Sequence, residues 1–208
     1  MQRMIFQTLE MREGARTMQR VLVPLADGVE EMEAVIVVDM LRRAEWHVLT
    51  VGLKPGTVTA ARGTRLPPDG VWDKIDPGLF DMLVIPGGAR GVAALRGDPR
   101  VVAAVRAHAG HGKWTAAVCA GPLVLHDAGI LAGRHATCYP GCAAELVGAR
   151  YVDEPVVVDG NVVTSQGAGT TFAFALTLVA LVAGASKAQA LARAIVLAPE
   201  EMRRLGVK

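Results

Sequence analysis

From residue 21 onward, short β-branched runs alternate with stretches of helical apolar spacing, and this alternation narrows the fold more than any other feature. Strands joined by crossover helices pair in parallel, so helices must cover both faces of one sheet. The spacing predicts strands over residues 21–25, 46–51, 82–85 and 115–118, with helices over 31–43, 91–96, 99–111 and 120–128. In the first helix, Met32, Val35, Ile36, Val38, Met40 and Leu41 recur at helical spacing, and Arg42 and Arg43 put cations at its C-terminus. Residues 54–78 hold Gly, Pro and short Val-containing pieces, which predicts a small hairpin excursion outside the core layer. Short strands follow at 136–138, 151–152, 156–158 and 162–164, with Asp159-Gly160 as a hairpin turn. Helices over 171–182 and 186–194 and a turn over 199–205 complete the pattern. With 23 Gly but only three Trp, two Tyr and four Phe, side chains between the layers are thin, which suits helices on a sheet. The expected class is therefore α/β, a doubly wound, mostly parallel sheet in a single domain without internal repeats.

Charge and cysteine usage exclude several roles. Twenty-two basic and 20 acidic side chains leave a net charge of +2, too near neutral for a surface that binds nucleic acid by counterion release. Three cysteines are an odd and sparse set, which argues against a disulfide-stapled secreted scaffold and for a reducing, cytoplasmic setting. The longest apolar stretch, 172–185, is too short and too rich in Ala, Thr and Gly to span about 30 Å of hydrocarbon, so no membrane role is expected. Residues 1–17 mix Arg3, Arg12 and Arg16 with Glu10 and Glu13 and lack the apolar region of a signal peptide. Because Met-Gln-Arg recurs at 18–20, directly before the first strand, residues 1–17 read as a start-site or expression extension that packs weakly. The domain proper is then 18–208.

In an open parallel sheet, sites form beyond the carboxyl ends of the strands. Three loops there have unusual content: 26–33, Pro86-Gly87-Gly88 and Cys119-Ala120-Gly121-Pro122. A cysteine between a buried strand and a helix sits in a tight turn that Ala120 and Gly121 permit, and the positive end of the helix is expected to lower its pKa. It is the thiol counterpart of the strand-nucleophile-helix elbow of hydrolases, although G-x-S-x-G is absent. An inert buried cysteine satisfies the same spacing. Gly87 and Gly88 would let backbone amides approach an oxyanion, or simply make a turn. Of Glu30, Glu31 and Glu33, two suit a solvated helix start; one buried beside a thiol would have a raised pKa and move protons.

Taken together, these residues resemble the DJ-1/PfpI (ThiJ) superfamily, on its DJ-1 side, from about residue 19 to 198. The carriers are Ala26-Asp27-Gly28-Val29-Glu30-Glu31-Met32-Glu33-Ala34, Val38-Asp39-Met40-Leu41-Arg42-Arg43-Ala44, Ile85-Pro86-Gly87-Gly88, Ala116-Ala117-Val118-Cys119-Ala120-Gly121-Pro122 and Thr164-Ser165-Gln166-Gly167-Ala168-Gly169-Thr170. The resemblance implies a flavodoxin-like sandwich, a homodimer, Cys119 as reactive cysteine and Glu33 as the carboxyl group beside it. It implies further that Gly87, Gly88 and the Ala120 amide form an oxyanion pocket and that Arg62 is a pocket arginine; a solvated loop charge is the other reading of Arg62. Two positions depart from the family pattern. Protease-like and chaperone-like relatives carry His directly after the nucleophile, where this chain has Ala120, which argues against a protease. Members with glyoxalase chemistry carry a site His where this chain has Tyr139, a hydrogen-bond donor but a poor base at neutral pH. His135, four residues upstream, is the other candidate for that role, though strand alternation disfavours it.

The activity so implied is that of a cofactor-free, metal-free enzyme acting on a small carbonyl compound, a 2-oxoaldehyde such as methylglyoxal or its early adducts, in the manner of a glutathione-independent glyoxalase or deglycase. The alternative is a redox-responsive stress protein or chaperone that uses an oxidisable Cys119. His47, His108, His111 and His126 show no metal spacing and read as surface or core histidines. Cys138 and Cys142 form C-x3-C without a second pair, a poor zinc spacing, but near enough to the site loop to act as resolving thiols.

Overall fold

A computed structural model of the chain describes residues 19–198 and Glu200. The expectations for residues 1–17 and for the terminal turn, save Glu200, fall outside this range. Seven strands form the main sheet: β1 (Arg20–Leu25), β2 (His47–Gly52), β5 (Gly70–Val71), β6 (Met82–Ile85), β7 (Trp114–Val118), β10 (Val156–Asp159) and β11 (Val162–Ser165). Their spatial order is β10-β11-β7-β6-β1-β2-β5, parallel throughout except for the β10–β11 hairpin. That hairpin turns at Gly160, whose φ of 61° is the left-handed value such a turn needs. Two small pairs lie outside the sheet, β3 (Val58–Thr59) with β4 (Arg65–Leu66), and β8 (His135–Ala136) with β9 (Arg150–Tyr151).

The sheet divides two cores because successive strand residues point to opposite faces. On one face, Val21, Val23, Val84, Ala116 and Val118 pack against α1 (Glu31–Arg43), α5 (Thr171–Ala183) and α6 (Ala185–Ala194). On the other, Leu22, Leu83, Ile85 and Ala117 meet α2 (Ala89–Arg96), α3 (Pro99–Gly110) and α4 (Pro122–Asp127). Between the two layers, the middle of β7 is built of small residues, Thr115, Ala116 and Ala117.

Two differences from the sequence expectation have physical causes. The 54–78 excursion does contain a hairpin, β3–β4, but Gly70–Val71 then joins the main sheet beside β2 and Trp72 is buried against it. The large indole makes a return to the core favourable, which Gly and Pro counting does not capture. The helix after Cys119 starts at Pro122, because Cys119 itself occupies the left-handed region at φ 63° and Ala120 and Gly121 complete a turn. Among the described residues no helix is long and apolar enough to cross a membrane.

Candidate active site

The strands β1, β6 and β7 end side by side, and their following loops meet at one point. Glu33 lies in the first turn of α1, where its side chain is fully buried. Its Oε2 accepts the Gly87 N–H at 2.7 Å. A Cβ at Gly87 would come within 2.5 Å of both Cys119 Cβ and Glu33 Oε2, and 3.0 Å from Cys119 Sγ. Only glycine fits between the carboxyl and the thiol. Gly88 is in the left-handed region at φ 93°, and a Cβ there would strike Gly28 O at 2.3 Å. The Glu30 N–H donates to Gly87 O at 3.0 Å, tying the loop after β1 to the loop after β6.

Cys119 is clamped from both sides. Its N–H donates to Ser165 O at 2.9 Å, and its carbonyl accepts the Tyr139 N–H at 2.8 Å. These contacts hold a φ of 63° that costs energy for any residue with a Cβ. The thiol is half-buried and faces the N–H groups of Ala120 and Gly88.

The expected depression of the thiol pKa is not what this environment gives. Burial pushes Cys119 up to about 12, followed by the charge and contact of Glu33, while the Ala120 and Gly88 amides oppose the shift. Glu33 is itself pushed up to about 7, chiefly by burial and further by the charge of Glu30; the Gly87 N–H and the thiol pull the other way. Oε1 is buried without a hydrogen bond of ordinary geometry, while contact with the Cys119 thiol pulls the carboxyl's pKa down. A buried carboxyl oxygen without a donor is better protonated than charged. The two groups therefore titrate as a pair: the first proton leaves near neutral pH and the second far above it.

The amides expected to form an oxyanion pocket divide between two partners. The Gly87 N–H is committed to Glu33, which leaves the Gly88 and Ala120 amides directed at the thiol. Arg62 lies in the turn after β3, where its N–H donates to both Glu31 carboxylate oxygens at 2.9 and 3.2 Å. The turn is strapped to the loop after β1 by Gly28 N–H to Thr59 O and Ala61 N–H to Val29 O, each 2.8 Å. The Arg62 side chain itself is exposed and makes no contact with the thiol. The Tyr139 ring is 54% exposed and lies against Gly141 and Gly167.

Other candidates separate from this cluster. His135 pairs with Asp159 at 3.4 Å on β8, away from the thiol. Cys138 and Cys142 pack against the core on the α2–α4 side of the sheet, whereas Cys119 packs against the core on the other side. Among the described residues no group of three or more His, Cys, Asp or Glu is placed to hold a metal. Sequence reasoning missed the two peptide clamps on Cys119. The Ser165 motif was visible, but only strand pairing reveals that its carbonyl meets the Cys119 N–H.

The pattern of the DJ-1/PfpI family matches residues 19–181. The chain belongs to the DJ-1/PfpI family. It is 39% identical over 180 residues to DJ-1beta of Drosophila melanogaster, covering 85% of this chain and 96% of that protein. DJ-1 homolog B of Arabidopsis thaliana is 37% identical over 177 residues, which cover 84% of this chain but only 40% of the longer plant protein. A glutathione-independent glyoxalase of Caenorhabditis elegans shares 34% over 86% of this chain and 95% of its own. A deglycase of Pyrococcus abyssi shares 35% over 78% of this chain and 98% of its own. The crystal structure of Drosophila DJ-1beta superposes with a TM-score of 0.84 at 38% identity, covering 87% of this chain and 99% of that one. Membership in the family agrees with the flavodoxin-like layering.

Proposed function

We propose that the protein is a cofactor-free, cysteine-dependent enzyme that converts reactive 2-oxoaldehydes, or their early adducts, to 2-hydroxy acids. The observation that carries this reading is the convergence of Cys119 and the buried Glu33 on Gly87. Its relatives include proteins named as a glutathione-independent glyoxalase and as a deglycase.

The chemistry follows from the pair. Ionised Glu33 takes the Cys119 S–H proton as the sulfur adds to the aldehyde carbon, the resulting oxyanion lies where the Gly88 and Ala120 amides can donate to it, and Glu33 hands the proton to that oxygen to give the hemithioacetal. Glu33, poised near neutral pH, takes the proton from that carbon and returns it to the adjacent one, turning the hemithioacetal into a 2-hydroxy thioester. Water then cleaves the thioester, releasing the 2-hydroxy acid and restoring the thiol. One aldehyde and one water are consumed per acid, with no net oxidation and no external electron carrier. Tyr139 and Arg62 belong to the pocket rim in this reading, as donors for the carbonyl or carboxylate of the substrate. A homodimer is also part of it, supported by the exposed apolar side chains of Met32 and Val35 on α1, as is a reducing cytoplasmic setting, supported by three free cysteines.

Methylglyoxal consumption without added glutathione, with lactate measured as product, tests the reading. Equal turnover by the wild type and Cys119→Ser would overturn it.

A further inference from the structure

Two contiguous cavities open at the carboxyl ends of β1 and β2, on the α2 side of the sheet. One, of about 370 Å³, is lined by Asp27, Lys54, Gly56, Thr57 and Arg90 among others. The next, of about 440 Å³, shares Leu53, Lys54 and Ala94 with it and continues to Pro99 and Arg100. Neither includes Cys119, Glu33 or the glycines between them. The carboxyl ends of strands in a doubly wound sheet are where ligands gather.

The first cavity brings together two cations, Lys54 and Arg90, the Thr57 hydroxyl and one carboxylate, Asp27. Among the described residues Lys54 and Arg90 have no acidic partner, and the N–H groups of Lys54, Gly56 and Thr57 make no hydrogen bond. Asp27 adds one carboxylate, whose Oδ1 accepts the Thr59 N–H at 2.8 Å and is tied to the β3 hairpin, so the two cations outnumber it. Arg100, by contrast, is neutralised by Asp98 and Asp73. The backbone under Arg90 is fixed: a Cβ on Gly28 would come within 2.5 Å of Arg90 Cβ, so α2 is seated directly on the loop after β1. Cations, free amides and the Thr57 hydroxyl around one concavity suit an anion with several oxygens. The adjoining cavity is walled by Leu53, Ala94 and Pro99 beside the paired Asp98 and Arg100, which suits an uncharged organic body with hydroxyl groups.

We propose that this groove is a second ligand site, separate from the thiol, which takes the phosphate monoester of a small metabolite. The phosphate sits between Lys54 and Arg90 on the amides of the 54–57 turn, and the organic portion lies along Leu53 and Ala94.

Calorimetric titration of the full chain with inorganic phosphate and with ribose 5-phosphate, alongside amide NMR shifts, tests the proposal. Ribose 5-phosphate is expected to bind saturably and more tightly than inorganic phosphate, shifting the Lys54, Gly56 and Thr57 amides. A Lys54→Gln/Arg90→Gln variant is expected to bind about 10- to 100-fold more weakly, the worth of one or two charge-assisted hydrogen bonds. Cys119→Ser is expected to bind ribose 5-phosphate as the wild type does, so the outcome is independent of the thiol chemistry. Absence of saturation, unchanged affinity in the double variant, or shifts confined to other residues would overturn the proposal. Ribose 5-phosphate binding no tighter than inorganic phosphate would overturn the assignment of a metabolite.

Discussion

Cys119 and Cys138 lie on opposite faces of the same sheet, and burial pushes both thiols up to about 12. Their neighbours differ. Cys119 faces a buried carboxyl whose own proton leaves near neutral pH, and it is held at φ 63° by the peptide groups of Ser165 and Tyr139. Cys138 is fully buried, donates to the Tyr139 carbonyl at 3.3 Å and has a second thiol, Cys142, and Glu145 as its further influences. A raised thiol pKa therefore does not by itself separate the proposed nucleophile from a core cysteine. What distinguishes them is a partner that can exchange a proton and a backbone strained to present the sulfur.

Substitution of the two thiols gives the largest contrast. Cys119→Ala is expected to lower kcat/KM for methylglyoxal by at least ~10³-fold, as loss of a covalent nucleophile does, while Cys138→Ala stays within a few fold. A comparable loss in both would erase the distinction between the faces. Glu33→Gln is expected next, with a loss of about 10²- to 10⁴-fold in the same assay, since it removes the proton carrier and keeps the shape. In the wild type, kcat/KM should rise through about pH 7 as the pair gives up its first proton, and Glu33→Gln should lose that limb.

Stability carries the same contrast with a smaller signal. Glu33 has a folded pKa near 7 against an ordinary 4.5, so folding favours its protonated form. The associated stability is complete below pH 4.5 and is lost as pH rises through 7, on the order of 3 kcal/mol in all. Urea melts between pH 4 and 8 should show that decline in the wild type and not in Glu33→Gln. Cys138→Ala should cost about 1 kcal/mol at every pH in that range, the effect of a small cavity in a core without a titrating partner. Gly87→Ala tests the contact itself: its Cβ would meet Cys119 and Glu33 at 2.5 Å, and overpacking of that kind costs about 1–3 kcal/mol. Equal denaturation midpoints for Gly87→Ala and the wild type would show that the loops yield where the structure holds them fixed.

Most of this layout was legible in the chain. The alternation of β-branched and helical spacing determined the layering, because period and length distinguish strands from helices locally, and α1 at Glu31–Arg43 and β6 at Met82–Ile85 fall where the spacing put them. The motif residues Glu33, Gly87 and Cys119 were legible as well, since each stands at the carboxyl end of a strand or the start of its helix. Gly70–Val71 was not, because two residues carry no period and their pairing depends on Trp72 finding the core. Tertiary structure alone decided which amide serves which group, giving the Gly87 N–H to Glu33 and leaving those of Gly88 and Ala120 for the sulfur. It also reversed the expected direction of the Cys119 pKa. A helix end nearby is visible in sequence, but burial and the approach of a carboxyl 86 residues away in the chain are set only when the sheet brings their loops together, and at that range they outweigh the helix.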